Sequence, residues 1–417
     1  MNMKQGYRMV MKHRNFMQTM AATVINRIGD SIDMLAFSWL VYGLTESAGW
    51  SAIVLGVNML PNVFIQPIAG AIVEHIPKKR IMVICDIGRG ILTGTIIVLY
   101  CMHILSPWML LLITFLNNAL ESFRNPASVG FIPLILPKED YEYGLALNQS
   151  SIRICELIGT GLAGVILTLL GVVGAIAIDM MTFFISAVII AFIPLKEQAN
   201  VKQISSVRER ILEVFYSMKD GFSYLKQTKI LVLLCILACI LNMSLVPLNS
   251  FEAAYVSGIL HAPAYVLSLM SISLTIGIGI GSFLYPFFHK YIQNRSLIIL
   301  GGILTGCYYL VMVLLVQISS LWLINLVLAS INLIFGISIG FIMVLANISF
   351  MSHVSNEYLT RASSIYSAFA ILGMPVLSFL LSAICEFAAV LDILLVFGVF
   401  TILLFLSMIG IRSLKEL

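Results

Sequence analysis

Long apolar segments separated by short polar ones make up most of the chain and predict membrane-spanning helices. A helix of about 20 residues crosses a hydrocarbon core of about 30 Å, and no backbone polar group can be left unpaired within that core. Twelve segments meet this requirement and predict an all-α membrane protein with spans 1 to 12. They cover residues 16–44, 48–73, 81–104, 107–130, 144–170, 172–194, 230–256, 263–288, 296–316, 320–350, 361–384 and 388–411.

The composition agrees with a membrane protein and excludes other classes. Of the 417 residues, 60% are hydrophobic and 11% are charged, whereas a soluble domain is about 25% charged. The net charge of +4 is too small for a nucleic-acid-binding protein. The seven Cys are scattered without metal-like spacing, so we expect no metal site and no cofactor.

The distribution of Lys and Arg predicts the orientation of the spans. Of the 24 Lys and Arg residues, all but Arg27, Arg89, Arg124 and Arg153 fall in loops or tails on one side of the membrane. Cytoplasmic loops carry an excess of these residues. Both termini are therefore predicted to be cytoplasmic, in a multi-pass protein of the plasma membrane.

One long polar stretch, residues 196–229, divides the spans into six and six. We predict an N-terminal bundle (1–195), a cytoplasmic linker (196–229) and a C-terminal bundle (230–417). A 6 + 6 repeat is supported by the similarity of GAIVEHIPKKR at the end of span 2 to GSFLYPFFHK at the end of span 8. Apolar residues recur at helical spacing in the linker, which favours an amphipathic helix on the membrane surface over a solvated helix.

The loop after span 2 resembles the signature of the major facilitator superfamily, in which a glycine is followed by an acid, a basic residue, a second glycine and a basic pair. The corresponding positions are Gly70, Glu74, His75, Pro77, Lys78 and Lys79. Three of them depart from the usual residues, with Glu for Asp, His for Arg or Lys, and Pro for Gly. In span 5, the segment GTGLAG at 159–164 is similar to the antiporter motif of that family without its proline.

Three further segments resemble the branch that contains macrolide efflux permeases and siderophore exporters. They are Arg27–Asp30 in span 1, Asp179 with Thr182 and Phe183 in span 6, and Gly221–Leu225 before span 7. The resemblance implies two bundles around a central cavity, alternating access and export driven by the proton gradient. We expect a monomer whose partners are a small-molecule substrate, H⁺ and the lipid bilayer, and no nucleic acid.

Charged residues within the spans are the candidates for ion coupling, because each costs roughly 2.5 to 3.5 kcal/mol near the bilayer centre. All but Glu252, which we expect at the rim of the cavity, lie in the N-terminal half. In span 1, Arg27, Asp30 and Asp33 are spaced three apart and can face one cavity. If Asp30 pairs with Arg27, Asp33 is the better proton carrier. The functional hypothesis is that Asp30 or Asp33 binds a proton or a cationic substrate while Arg27 adjusts its pKa. The alternative is an internal ion pair with one spare acid turned to water.

Spans 4 and 5 carry a second set of candidates, with Glu121 and Arg124 on one and Arg153 and Glu156 on the other. At about 1.5 Å per residue the two glutamates lie at a similar depth, and the two arginines lie closer to the cytoplasm. If the spans face each other, the glutamates form a proton relay. A structural network of four charges explains the pattern equally well.

A cytoplasmic gate is predicted at the loop after span 2. Asp86 and Arg89 lie one turn apart near the inner end of span 3, and we assign them to the gate rather than to a relay. Asp179 has no basic neighbour in its own span and is expected to bond neighbouring helices. The predicted gate residues are Gly70, Glu74, His75, Lys78, Lys79, Arg80, Asp86 and Arg89.

Polar and aromatic residues on central spans are candidates for a substrate cavity, although core packing explains each of them at least as well. They are Phe37, Trp39, Asn58, Asn118, Asn242 and Tyr366. Glycine pairs four residues apart predict close helix packing. They are Gly90 with Gly94, Gly277 with Gly281, and Gly336 with Gly340.

Taken together, these features predict a secondary active transporter, and the first hypothesis is proton-coupled efflux of an amphipathic small molecule such as a macrolide or another drug. Export of a siderophore or flipping of a lipid is the alternative within the superfamily. A membrane-embedded enzyme is disfavoured, because the six His residues fall at termini, loops or span ends and no catalytic constellation is visible. The sequence also lacks the G-x-x-x-x-G-K motif followed by Ser or Thr that binds ATP, so the energy must come from a gradient.

Overall fold

The computed structural model describes residues 8–73, 76–194, 216, 219, 222–223, 225–226, 228–288, 293–354 and 359–410. Within these ranges the regular structure is helical, without a strand. The helices are α1 (Arg14–Thr45), α2 (Ala48–Phe64), α3 (Gln66–Val73), α4 (Lys78–Cys101), α5 (Pro107–Ile135), α6 (Tyr141–Ala191), α7 (Lys229–Met243), α8 (Val246–Ala253), α9 (Tyr265–Phe288), α10 (Asn294–Leu315), α11 (Leu321–His353), α12 (Leu359–Ile384) and α13 (Val390–Ser407). The amphipathic helix predicted in the linker lies largely outside the described residues.

In the described part of the chain, nine helical segments are long and apolar enough to cross a membrane. One of them, Tyr143–Ala191, contains predicted spans 5 and 6 and is kinked at Gly171, where φ is 68°. Helices α1 and α5 coincide with predicted spans 1 and 4 but are not among the nine, because the charged and amide side chains in them lower their apolar character. The all-helical, multi-pass architecture is confirmed, whereas the count of twelve crossings and the cytoplasmic termini stay predictions.

Two of the predicted spans are each built from two helices. Helices α2 and α3 are separated at Ile65, which lies between Pro61 and Pro67. Helices α7 and α8 are separated just before Pro247. Proline lacks an amide hydrogen and clashes with the preceding turn, so it interrupts the helical hydrogen-bond ladder. Helix α8 continues directly into a π-helical turn, Ala254–Ile259.

The chain forms two compact units, one within residues 1–44 and 57–214 and the other within residues 45–56 and 215–417. In the first unit, α4 packs against both α5 and α6. In the second unit, α9 packs along α11, α10 contacts α11 and α13, and α7 contacts α12. The first turns of α2 thus group with the second unit, and the predicted domain boundaries stay predictions.

Glycines bring α9 and α11 into backbone contact. A Cβ added at Gly281 of α9 would meet the carbonyl group of Ile337, and one added at Gly336 of α11 would meet the carbonyl oxygen of Leu274. Contacts of this kind occur at Gly277, Gly281, Gly336 and Gly340. The close packing predicted for these two glycine pairs is confirmed.

Candidate functional site

A single arginine, Arg89 of α4, lies at the centre of a group of acidic residues in the first unit. Its Nη2 donates to Asp30 Oδ1 of α1 at 3.0 Å and lies 3.7 Å from Glu121 Oε2 of α5. Its Nε donates to Asn117 Oδ1 at 2.7 Å, and its guanidinium lies 4.2 Å from the centre of the Phe183 ring. Groups from α1, α5 and α6 therefore hold this buried cation in place.

Two more carboxyl groups complete this arrangement. Asp33 of α1 and Asp179 of α6 lie close enough to Asp30 and Arg89 to interact with them electrostatically. Asp179 is 1% exposed, and its Oδ1 has no hydrogen-bond partner among the residues that the structure describes. The term Arg89 cluster denotes the five residues Arg89, Asp30, Asp33, Glu121 and Asp179.

The charge balance of the Arg89 cluster indicates what it can do chemically. Four carboxyl groups surround one guanidinium, and ionised carboxylates are costly in a low-dielectric environment unless a positive charge compensates each of them. The excess negative charge can be neutralised by protons or by another cation. The Arg89 cluster therefore contains more carboxyl groups than cations.

One turn away on α4, Asp86 forms a second hydrogen-bonded network, close enough to Arg89 to interact with it electrostatically. Its carboxylate accepts hydrogen bonds from Arg124 of α5, from Asn26 Nδ2 of α1 at 3.2 Å and from Ser186 Oγ of α6 at 2.7 Å. All four residues are buried, and Asp86 is fully so. Because the one anion is matched by one cation and by neutral donors, we interpret this network as a structural link between four helices.

Asp86→Asn is expected to lower the free energy of unfolding by about 3 to 5 kcal/mol, because it leaves the buried Arg124 without its counter-ion. The matched control is Arg153→Gln. Arg153 is 73% exposed and donates to Glu156 on the same helix at 2.8 Å, and a surface pair of this kind is worth about 0 to 1 kcal/mol. Unfolding of the purified protein in detergent measures both effects, and equal losses in the two variants would contradict the structural role of Asp86.

The pairing of Asp30 with Arg27, one of the possibilities for span 1, is not the one that the structure shows. Asp30 pairs with Arg89, whereas Arg27 Nε lies 3.6 Å from Glu156 Oε1 of α6. Spacing along a helix shows which residues share a face, but it does not show which neighbouring helix that face meets. Asp33 stays a candidate proton carrier, and the structure places it in the Arg89 cluster.

The network predicted between spans 4 and 5 is also wrong. Glu121 and Arg124 each meet a residue of opposite charge on α4, whereas Arg153 pairs with Glu156 within α6. The reason is that α5 packs along α4, so its charged residues find their partners there. The two glutamates consequently have different partners and do not form the predicted relay pair.

The structure also shows the surroundings of three residues on α4 and α6. Asp86 and Arg89, which we predict in the gate, lie in the two buried networks described above, and their part in gating stays a prediction. Asp179 has Arg89 of α4 as a basic neighbour, although its own span contains none. The neutral partners Asn26, Asn117 and Ser186 escaped sequence analysis because single polar residues in a span carry no distinctive spacing.

The remaining predicted gate residues surround the start of α4. Gly70 and Lys78 line a cavity of about 390 Å³ whose wall also includes Gln66, Asn125 and Val129. Lys79 Nζ donates to the carbonyl oxygen of Ile193 at 2.7 Å, and Arg80 is exposed. Glu74 and His75 lie outside the described residues.

Two of the predicted cavity residues form a polar seam between α2 and α5. Asn118 Nδ2 donates to Asn58 Oδ1, and one turn further along both helices Ser122 Oγ donates to Asn62 Oδ1 at 3.4 Å. These side chains form hydrogen bonds with one another, so their geometry indicates a role in packing α2 against α5. Their role in binding substrate stays a prediction.

The other predicted cavity residues lie apart from this seam. Asn242 donates to the carbonyl oxygen of Ala238 on its own helix at 2.9 Å. The ring of Tyr366 packs on that of Phe350, with the ring centres 4.5 Å apart. Phe37 and Trp39 are half-buried on α1. The described contacts of these residues therefore identify no shared pocket.

The fold and the buried charges together define a polytopic transporter, and comparison with known proteins gives the family. The family model "Major Facilitator Superfamily" matches residues 19–377. The chain therefore belongs to the Major Facilitator Superfamily, as its motifs predicted.

Individual relatives are distant but cover much of the chain. Macrolide efflux protein A of Streptococcus pyogenes is 24% identical over 343 residues, which cover 81% of this chain and 82% of that protein. The MFS-type transporter YkuC of Bacillus subtilis is 24% identical over 225 residues, and the match spans 53% of this chain and about half, 52%, of YkuC. The solved structure of the nucleoside transporter NupG shares the fold, with a TM-score of 0.72 at 13% identity over 96% of this chain and 100% of that chain.

Proposed function

We propose that this protein is a proton-coupled exporter of amphipathic small molecules, with macrolides as the first substrate class to test. In this proposal it has twelve membrane spans with both termini in the cytoplasm, and it works by alternating access as a monomer in the plasma membrane. The observation that supports proton coupling best is the Arg89 cluster, in which one buried guanidinium faces four carboxyl groups. The similarity to a macrolide efflux protein supports the direction and the substrate class.

In the proposed cycle, Arg89 is the fixed cation and the carboxyl groups exchange protons. A proton bound by Asp33 or Asp179 removes a negative charge from the surroundings of Arg89, which weakens the contact of α1 or α6 with α4. Deprotonation restores that contact. Proton uptake and release would thus change how these helices pack, and this is how we propose that the gradient drives the conformational cycle.

Inside-out membrane vesicles that carry the protein in their membrane test the proposed function. With an acidic interior, they should accumulate more radiolabelled erythromycin than vesicles without the protein, in which this weak base is trapped only passively, and a protonophore should abolish the difference. Accumulation that survives the protonophore would contradict proton coupling. Accumulation of a labelled siderophore or flipping of a labelled phospholipid, without uptake of the macrolide, would keep the transporter class and overturn the proposed substrate.

Asp179→Asn is expected to reduce proton-driven accumulation by at least about tenfold, equivalent to about 1.4 kcal/mol, without loss of folded protein. Asparagine has the same shape and cannot exchange a proton, and Oδ1 of Asp179 has no hydrogen bond to lose among the described residues. The control is Asp392→Asn in the first turn of α13, which should transport normally. Normal gradient-driven transport by the Asp179 variant would remove this residue from the coupling mechanism.

A further inference from the structure

A carboxylate shared by two arginines lies where α1 meets α6. Glu156 Oε2 accepts a hydrogen bond from Arg153 Nη1 at 2.8 Å, and its Oε1 lies 3.6 Å from Arg27 Nε. Within the described part of the chain, neither arginine forms an ion pair with another carboxylate. We call Arg27, Arg153 and Glu156 the two-arginine site. It has two cations for one carboxylate, whereas the Arg89 cluster has an excess of carboxyl groups.

The one carboxylate leaves hydrogen-bond donors of the arginines unused. Arg27 Nε is too far from Glu156 for a hydrogen bond, and it has no other partner among the described residues. A guanidinium carries five N–H donors and binds a carboxylate or a phosphate through two parallel hydrogen bonds. About a third of the Arg27 side chain, 33%, is exposed. The site therefore offers an anion both positive charge and donors.

A glycine brings α1 and α6 together beside this site. Gly159 lies three residues after Glu156, and a Cβ added there would lie 2.9 Å from the carbonyl oxygen of Ile28. Ile28 directly follows Arg27 in α1. The close contact of the two helices consequently holds Arg27 next to Glu156, and the site is built on helices, which position side chains more precisely than loops do.

The two-arginine site lies on a different side of α6 from its exposed apolar surface. The exposed apolar residues of this part of the helix form one stripe, which consists of Ile154, Ile158, Leu162, Val165 and Leu169. At 3.6 residues per turn, Arg153 and Glu156 lie about 140° and about 160° around the helix from the middle of this stripe. We interpret the stripe as the surface that faces lipid. Charged residues in membrane spans face the protein interior or a water-filled cavity. Because Arg153 is 73% exposed, it is accessible from water.

We propose that the two-arginine site binds the anionic group, a carboxylate or a phosphate, of a small molecule that arrives from water. Glu156 neutralises part of the positive charge in the absence of this ligand, and the anionic group of the ligand competes with it for the arginines. Binding at this site requires neither proton coupling nor a macrolide as the exported substrate. Amphipathic carboxylates and phosphates thus become a further class of ligand.

Binding of dansylglycine to the purified full-length protein tests this proposal. Dansylglycine is an amphipathic carboxylate whose fluorescence rises in apolar surroundings, and dansylglycinamide is its neutral analogue. The protein would be placed in phosphatidylcholine nanodiscs, and the signal of empty nanodiscs would be subtracted. The wild type should bind the acid at least about tenfold more tightly than the amide, since a hydrogen bond to a charged group contributes about this much.

Two variants distinguish an anion site from a structural ion pair, because they should act in opposite directions. Arg153→Gln should weaken binding of dansylglycine about tenfold, since one cation is lost. Glu156→Gln should strengthen binding, because the competing carboxylate is gone. Lys226→Gln removes the same charge as Arg153→Gln at an exposed position in the linker and should bind like the wild type. Gel filtration and thermal unfolding would verify that the variants are folded.

Equal binding of the acid and the amide would overturn the proposal. Unchanged binding by Arg153→Gln, or weaker or unchanged binding by Glu156→Gln, would also overturn it. Nanodiscs that contain phosphatidylglycerol test the source of the anion, since a lipid phosphate in the site would displace dansylglycine and contradict a ligand from water. Uptake of erythromycin is a separate measurement, so the proposed export and this binding site can fail independently.

Discussion

Arg89→Ala is expected to abolish proton-driven accumulation and to destabilise the protein by about 3 to 5 kcal/mol, because removal of one partner from a buried ion network leaves the others uncompensated. Asp30 and Glu121 lose their cation directly, at contacts of 3.0 and 3.7 Å. The loss of packing on Phe183 adds to the effect. Uptake by vesicles measures the loss of transport, and unfolding in detergent measures the loss of stability.

A second variant separates coupling from folding at this position. Arg89→Ala combined with Asp30→Asn and Glu121→Gln removes the two paired acids together with the cation, so it should recover much of the lost stability without recovering transport. With all three groups replaced, neither ion pair leaves a buried charge without its partner, which is the costly case. Gradient-driven transport by the triple variant would show that Arg89 acts only in folding.

The glycine contact between α9 and α11 gives a second prediction, in which stability and transport fall together. Gly281→Ala places a methyl group against the backbone carbonyl of Ile337, and backbone cannot rotate away as a side chain can. Overpacking of this kind costs about 1 to 3 kcal/mol, and the yield of monodisperse protein should fall accordingly. Transport should fall with it, because the two helices can no longer approach.

Gly279→Ala is the matched control for this variant. Gly279 lies on the same helix, but a Cβ added there meets nothing within 4 Å. The same chemical change should therefore leave folding intact and even favour the helix slightly. Equal yields and equal melting temperatures for the two variants would contradict the close packing of α9 on α11.

Much of the fold could be predicted because the membrane restricts the choice of structure. Uninterrupted apolar segments of this length can only be helices, so the positions of the helices follow from hydrophobicity alone. The sequence did not predict the helix breaks near Pro67 and Pro247. It also did not predict that spans 5 and 6 form one long helix with a kink at Gly171. Whether a proline bends or splits a span depends on the neighbouring helices rather than on the span itself.

The sequence identified several residues of the candidate site, but it did not show which of them form ion pairs. Intramembrane charge identified Asp30, Asp33 and Glu121 as coupling candidates. The residue that connects two of them is Arg89, which its position near the inner end of span 3 assigns to the predicted gate. The rotation of each helix about its axis determines which charges meet, and the sequence of one helix does not contain that information.

Asp179 illustrates the same limit. A search for a basic residue within its own span finds none, yet α4 brings Arg89 near it. Its proposed role in coupling rests on the absence of a hydrogen bond to its Oδ1 within the described structure. Such a feature arises from packing between helices, so only the three-dimensional arrangement could show it.

The most direct test of the Arg89 cluster is a measurement of proton release when substrate binds. Erythromycin would be added to the purified protein in a weakly buffered solution with a pH indicator. The proposed coupling predicts that the wild type releases protons and that Asp33→Asn and Asp179→Asn release fewer per molecule of substrate bound. Substrate binding without any proton release in the wild type, across the pH range in which it transports, would contradict the account.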